Sequence, residues 1–385
     1  MDIVFFAHPS FLKLRSMDDF TSILYSGMQK RGHNVQIWRP RAEFSKLPAG
    51  KGTSKWLGYL DQFIIFPAIA RLKISRCKKD TLFVFTDQAL GPWIPLVCRK
   101  RHVVHCHDFL ALQSASGLIE ENVTSCTGRY YQNLIKRGFC RAKNFIAVSN
   151  KTSEHLKHFH AERTIKNEVV YNGLKDKFYP LDPTSARTYI HKDTGIKASD
   201  GYILHVGGNQ WYKNRRGVVE IYNAWRLITN FDSPLLLVGE YPSDELYEVV
   251  CGSRYRKDIH FITGRNDDFL RYAYCGARTL LFPSLAEGFG WPIGEAMACG
   301  CAVITTNQAP MTEVGGNAAL YIDRRPNGGR EVRFWADQAA QVMEEAISAP
   351  ERIISARREA GFENSKRFNL EASLDRIEKI YSEVV

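Results

Sequence analysis

Glu287 and Glu295 bracket the run Gly288-Phe289-Gly290-Trp291-Pro292. Carboxylates accept hydrogen bonds from hydroxyls. Glycines on either side of Phe289 let backbone approach a ligand with no Cβ in the way. Pro292 suits the first turn of a helix. The start of that helix carries free N–H groups and a positive dipole end, which together favour an anion. Acids beside an anion site make chemical sense when the ligand also carries hydroxyls, as a ribose or a sugar does. The plainer reading gives the glycines a tight turn and the acids a solvated face.

These residues need a scaffold, and short apolar runs supply one. Runs at 3–7, 35–38, 81–85, 102–105, 144–148 and 169–171 read as strands. His8, Thr86-Asp87-Gln88, His107-Asp108, Ser149 and Asn172-Gly173 fall at or just beyond their ends. Ser16 and Asp19 suit a capping box for a helix ending near Gly32. The pattern restarts at 202–206, which leads into Gly207-Gly208, and continues at 235–238, 259–262, 279–282 and 302–305. Strands alternating with helices predict a parallel, helix-covered sheet. Polar and glycine residues collect at the carboxyl ends, where such sheets bind ligands. The chain therefore reads as α/β, with two doubly wound domains in series. Pro180 and Pro183 punctuate a linker near 179–200. The domains are expected at 1–182 and 183–368, with a last helix over about 369–385 returning to the first.

Composition narrows the class. With 385 residues, 44% hydrophobic and 24% charged, the chain is neither disordered nor a simple coiled coil. It starts without a leader-like segment, and no apolar run reaches the roughly 18 residues that span a bilayer. Nine cysteines without a CxxC pair suit a reducing, cytoplasmic setting. Residues 1–180 hold 28 Lys and Arg against 14 Asp and Glu, while the remainder holds 24 against 27. A basic half can face anionic lipid or a phosphorylated substrate, or simply solubilise the surface. Basic and apolar residues interleave from Lys51 to Lys79 through Lys55, Trp56, Phe63 and Lys73. That stretch reads either as a headgroup-facing segment at the inner membrane face or as a core helix with a basic solvent side. No nucleic-acid-binding signature is present.

The segment from Phe282 to Gly300, with its E-x7-E spacing, resembles the signature of retaining glycosyltransferases of family GT4, which have the GT-B fold. Leu204-His205-Val206-Gly207 followed by Lys213-Asn214 resembles the family's phosphate loop. His260 to Gly264 resembles its nucleotide-contacting strand end. Thr312-Glu313-Val314, His107-Asp108, Ala147-Val148-Ser149 and Tyr171-Asn172-Gly173 match further landmarks. Two features depart from the pattern. Gly208 stands where many members have Arg, with Arg215 and Arg216 nearby, and the loop after the first strand, residues 8–15, is not glycine-rich.

The resemblance implies two Rossmann-like domains facing across a cleft, and roles for particular residues. Glu295 would contact the ribose of a nucleotide-sugar donor, and Glu287 the transferred sugar. Backbone of Gly288, Phe289 and Gly290, with Trp291 opening the helix, would hold sugar hydroxyls or phosphate oxygens. Lys213, with Gly207, Gly208 and Asn214 around it, would neutralise the diphosphate. Backbone at Ile262, Thr263 and Gly264 would hold the base. His107 would face the donor sugar, and His8, Asp87, Gln88 and Asp108 would contact the acceptor. The implied reaction moves a hexosyl group, with retention, from a UDP- or GDP-linked sugar to a glycan or lipid-linked acceptor in polysaccharide synthesis. Lys213 and a helix N-terminus can stabilise the leaving diphosphate, and no D-x-D triplet occurs, so no metal or other cofactor is expected. A catalytically silent subunit of the same fold and a nucleotide-sugar epimerase are the alternatives.

Overall fold

The computed structural model describes residues 1–12, 14–46, 51–160 and 164–384, and the side chains of 51–55 are not described. Lys13 of the first loop and the Lys51 and Lys55 side chains thus lie outside the described residues. The chain forms two compact units: Met1–Tyr171 with Glu371–Val385, and Asn172–Leu370.

The first unit is built on six parallel strands: β1 (Asp2–Phe6), β2 (Asn34–Trp38), β3 (Leu82–Phe85), β4 (His102–Cys106), β5 (Asn144–Ala147) and β6 (Lys166–Val169). Their order is β2-β1-β3-β4-β5-β6, with Ile3 opposite both Val35 and Leu82. Every residue of β3 and β4 is buried, as expected where helices cover both faces of a parallel sheet. Phe6 stacks on Phe85 at 4.7 Å, and Phe83, Phe139 and Phe145 extend the same core.

The second unit repeats the plan with β7 (Ile203–Gly207), β8 (Leu235–Gly239), β9 (Ile259–Thr263), β10 (Thr279–Phe282), β11 (Ala302–Thr306) and β12 (Leu320–Ile322). Its order is β12-β11-β10-β7-β8-β9. Numbered within the unit and read from β9, this is 3-2-1-4-5-6, the order of dinucleotide-binding sheets. In each sheet the winding reverses at one place, between β1 and β3 and between β7 and β10. Loops leave the carboxyl ends there in opposite directions and open a crevice.

Several sequence expectations need correction. The first helix, Arg15–Lys30, is preceded by Leu14 with no side-chain cap, so Ser16 lies inside the first turn and the expected capping box does not form. The sixth strand is Lys166–Val169 rather than 169–171, and β12 carried no strand signal strong enough to be read. Residues 179–200 are not a plain linker. They hold a helix, Pro183–Thr194, capped by Asp182 on the Ser185 N–H at 2.8 Å. Tyr189 stacks on Tyr272 at 4.0 Å, which fastens this helix to the helix Asp267–Gly276. The division between units accordingly falls at Tyr171 and not at 182. At the far end, the helix Leu370–Val384 fits the first unit. Tyr381 and His105 share a 2.7 Å hydrogen bond, and Leu374 lies where a Cβ on Gly27 would come within 2.7 Å.

Candidate active site

The reversal point of the second sheet gathers the chemistry. Lys213 follows β7 and Glu287 follows β10, so the two strands that diverge at the switch each deliver one member of an ion pair. Lys213 Nζ donates to Glu287 Oε1 at 2.8 Å, and both side chains are largely buried. The ammonium also lies 5.2 Å from the centre of the Phe282 ring and 5.4 Å from that of Tyr212. A carboxylate and two π faces therefore hold it in place.

Local structure aims this pair. Asn214 adopts a left-handed conformation, φ 51°, and caps the helix Arg215–Ile228 by accepting the Gly217 N–H. Its Nδ2 donates to the Pro283 carbonyl at 2.8 Å. The Leu285 N–H donates to the Tyr212 carbonyl at 2.7 Å. These two bonds tie the loop after β7 to the loop after β10. Asn214, expected as a donor contact, thus has its side chain committed to clamping the two loops. A Cβ at Gly207 would press on His205 Nε2 at 3.1 Å and touch the lysine stem, 3.4 Å from Lys213 Cδ.

Beyond Glu287 the chain turns at Gly290, whose φ of +102° suits glycine. The helix Trp291–Ala298 begins there with Pro292 in its first turn. Phe289 points into the core against Trp291 and Phe368, so this loop presents backbone rather than a phenyl ring. Glu295, one turn in, accepts the Tyr274 hydroxyl at 2.8 Å. Burial pushes its pKa up to about 7, with Asp267 adding to the rise and Tyr274, Lys175 and Lys213 opposing it. Lys213 therefore bonds one glutamate and acts electrostatically on the other. Tyr274 was missed at the sequence level, because nothing in its neighbourhood marks it.

The two arginines after Asn214 do different work. Arg215 is buried, donating through Nη1 to Asn209 Oδ1 (2.6 Å) and the Glu240 carbonyl (3.0 Å). Burial draws its pKa down to about 10. Its Nε and Nη2 have no partner among the described residues. Arg216 pairs with Glu220 and Glu245 at the surface. Gly208 is crowded by Gln210 and Glu240 instead, since a Cβ there would lie 2.6 and 2.9 Å from those side chains. Of the base-binding stretch, Ile262 is buried at the end of β9, and Gly264 turns the chain at φ +69°.

The first sheet has a parallel arrangement at its own reversal point. His8 follows β1, Asp87 follows β3, and His8 Nε2 meets Asp87 Oδ2 at 2.8 Å. Burial raises the Asp87 pKa, but the His8 bond and charge outweigh it and hold the carboxyl below its ordinary value. His107 is a buried, neutral ring whose pKa burial lowers. Its Nε2–H donates to the Thr86 carbonyl at 2.9 Å, which leaves Nδ1 as the acceptor. Gln88 Oε1 accepts the His107 N–H, and Gln88 Nε2 donates to the Asp108 carbonyl. Asp108 Oδ1 accepts the Leu110 N–H at 3.0 Å. Among the four residues expected at the acceptor, His8 and Asp87 thus form one pair, whereas Gln88 and Asp108 bond the local backbone.

Comparison with known proteins places this geometry. Residues 200–342 match the description of glycosyl transferases group 1, and residues 21–178 that of glycosyltransferase family 4. O-antigen chain mannosyltransferase B of Escherichia coli is 30% identical over 200 residues, an alignment taking in 51% of this chain and 51% of that one. The chain thus spans about half the length of that relative. Sucrose-phosphate synthase of Thermosynechococcus elongatus superposes with a TM-score of 0.74 at 18% identity, covering 100% of this chain and 99% of the other. Anabaena HepE in complex with UDP gives 0.70 at 16% identity, covering both chains completely. The two structural likenesses establish the fold, GT-B. The chain belongs to glycosyltransferase family 4. Among the described residues no helix is long and apolar enough to cross a membrane.

Proposed function

We propose that this protein is a retaining glycosyltransferase that moves a hexosyl group from a UDP- or GDP-linked sugar to a glycan or lipid-linked acceptor in the synthesis of a cell-surface polysaccharide. The observation that carries the reading is the Lys213–Glu287 pair at the β7/β10 reversal, next to the Gly290 turn and the helix bearing Glu295. Without ligand, the lysine ammonium is balanced by Glu287. A diphosphate supplies a second anion, and the carboxylate is then free to accept sugar hydroxyls. As the sugar–phosphate bond breaks, negative charge grows on the leaving diphosphate. Lys213 and the positive end of the helix Trp291–Ala298 would meet that charge. Glu295, held by Tyr274, accepts from the ribose. Because a protein cation and a helix end meet the leaving group, we propose that the reaction needs no metal. The name of the E. coli relative makes mannose the first sugar to try.

The test is incubation with a panel of nucleotide sugars and measurement of free nucleotide. Release that disappears in Glu287→Ala supports the transferase. Binding without turnover, unaffected by that substitution, points to a silent subunit, and an epimerised sugar points to an epimerase. Chelation with EDTA is expected to leave the rate unchanged. A rate restored only by added Mg²⁺ would remove the lysine-and-helix account of the leaving group. The net-basic first half favours work at an anionic membrane face. Sedimentation with anionic vesicles tests that placement.

A further inference from the structure

A cavity of about 770 Å³ opens at the carboxyl end of β2, among residues the proposed donor machinery does not use. Part of its lining is apolar. Trp38 comes from β2, and Ile65, Phe66, Ile69 and Ala70 come from a helical stretch that runs Lys51–Leu60, then a π-helical turn Asp61–Ile65, then Phe66–Ile74. Turns of that kind recur at functional sites. Four cations also line it: Arg39, Arg41, Lys46 and Lys73.

Two acids, Asp61 and Glu43, line the same space against those four cations. Asp61 is buried, and its oxygens accept the N–H groups of Glu43, Phe44 and Ser45 and the Ser45 hydroxyl, at 2.8–3.2 Å. Burial raises its pKa, but those four donors outweigh it and keep it ionised. Asp61 thereby fixes residues 43–45 as a wall of the cavity. Arg39 is paired with Asp18 at 2.9 Å, and the Lys73 ammonium sits 5.3 Å from the Trp38 ring centre. Arg41 and Lys46 have no ion-pair partner among the described residues. The apolar lining also continues outward. Ile69 is 45% exposed, and Ile64 and Leu72, on the same helical stretch, are 61% and 66% exposed.

Unpaired cations next to exposed aliphatic side chains constrain the ligand. A neutral sugar would leave the cations unanswered. Free phosphate would leave the apolar wall in water, and a plain hydrocarbon would do nothing for the charges. A phosphate head joined to an apolar chain satisfies both. We propose that this cavity binds the phosphate head and first segment of a phospho-lipid, with Arg41, Lys46 and Lys73 on the phosphate and Ile65 and Ile69 along the chain. The proposal deepens the acceptor side of the function proposed above, and rests on it for that lipid's being the acceptor's carrier.

The experiment uses the full chain and dodecyl phosphate below its micellar concentration, with binding read by calorimetry and tryptophan fluorescence. One-to-one binding, at least about tenfold tighter than both inorganic phosphate and dodecyl maltoside, is the expected result. Arg41→Ala with Lys73→Ala should weaken it by about tenfold or more, as lost charge-assisted bonds do. Ile69→Asp should weaken it comparably while leaving inorganic phosphate unaffected. All three side chains are solvent-exposed, so an unchanged melting temperature serves as the folding check. Equal affinity for inorganic phosphate would reduce the cavity to a simple anion site and overturn the proposal. Equal affinity for dodecyl maltoside, or full binding by the double variant, would overturn it as well. A wild-type chain that binds dodecyl phosphate but neither UDP nor GDP would sink the donor reading and leave this site standing.

Discussion

Glu295→Gln separates a carboxyl whose pKa is raised by its surroundings from one merely close to a ligand. In the folded chain this group titrates at about 7, against an ordinary value of 4.5. Below pH 4.5 both folded and unfolded states hold the proton, and the group has no pH-linked effect. Between 4.5 and 7 the folded state keeps a proton that the unfolded state has lost. Stability therefore falls as pH rises through this window, and levels off above pH 7. At 1.36 kcal/mol per unit, the displacement corresponds to about 3 kcal/mol. Glutamine preserves the shape and can still accept the Tyr274 hydroxyl, but cannot titrate. Equilibrium urea unfolding of both proteins at several pH values between 4.5 and 8 isolates the effect, because all other groups cancel in the difference. The variant should gain about 3 kcal/mol relative to the parent across that range. Parallel stability curves would refute the reasoning, since they would place Glu295 in a solvated environment. The same coupling reaches the proposed function. Ribose hydroxyls favour the ionised carboxylate, so nucleotide binding should strengthen from pH 6 to pH 8 in the parent and not in the variant.

Lys213→Ala should lower turnover of a donor sugar by about 10²–10³-fold, the usual loss when one preorganised donor to developing charge is removed. Nucleotide-release kinetics decide this, and a loss under threefold would move the leaving-group role elsewhere. Gly290→Ala forces a side chain into φ +102° and should destabilise the protein by about 1–3 kcal/mol. A thermal melt unchanged from the parent would show that the turn is not strained. Asp87 has a lowered pKa, so its contribution is present above its unfolded value near 3.8 and is lost as pH falls through the folded value. Asp87→Asn should therefore cost stability at pH 7, about 3–5 kcal/mol for a broken buried pair, and progressively less as pH falls below 3.8. A loss that stays constant as pH falls, read by denaturant unfolding, would show that packing and not charge holds His8.

Much was legible without coordinates because the signals are local. A β-branched or aromatic run such as Leu82–Phe85 has to be covered on both faces, so it announces a buried strand whatever surrounds it. The Gly290 turn and Pro292 mark the start of a helix through backbone sterics alone. Weak local patterns misled in proportion. Ser16 resembled a cap but lies within its helix, and prolines at 180 and 183 suggested a linker where Pro183 begins a helix.

What chain order could not reveal is which strand ends become neighbours. Lys213 and Glu287 stand 74 positions apart, and His8 and Asp87 stand 79 apart. They meet because helices crossing over each sheet place β7 beside β10 and β1 beside β3. Tyr274 reaches Glu295 only through the contact of two helices, and Asp61 closes the cavity wall only because a π-turn and the loop after β2 come together. Residue type and spacing determined the strands, the turns and the kinds of chemistry on offer. Tertiary structure decided the pairings, since an ion pair or a shifted pKa depends on distance and burial, and neither is a property of neighbouring residues alone.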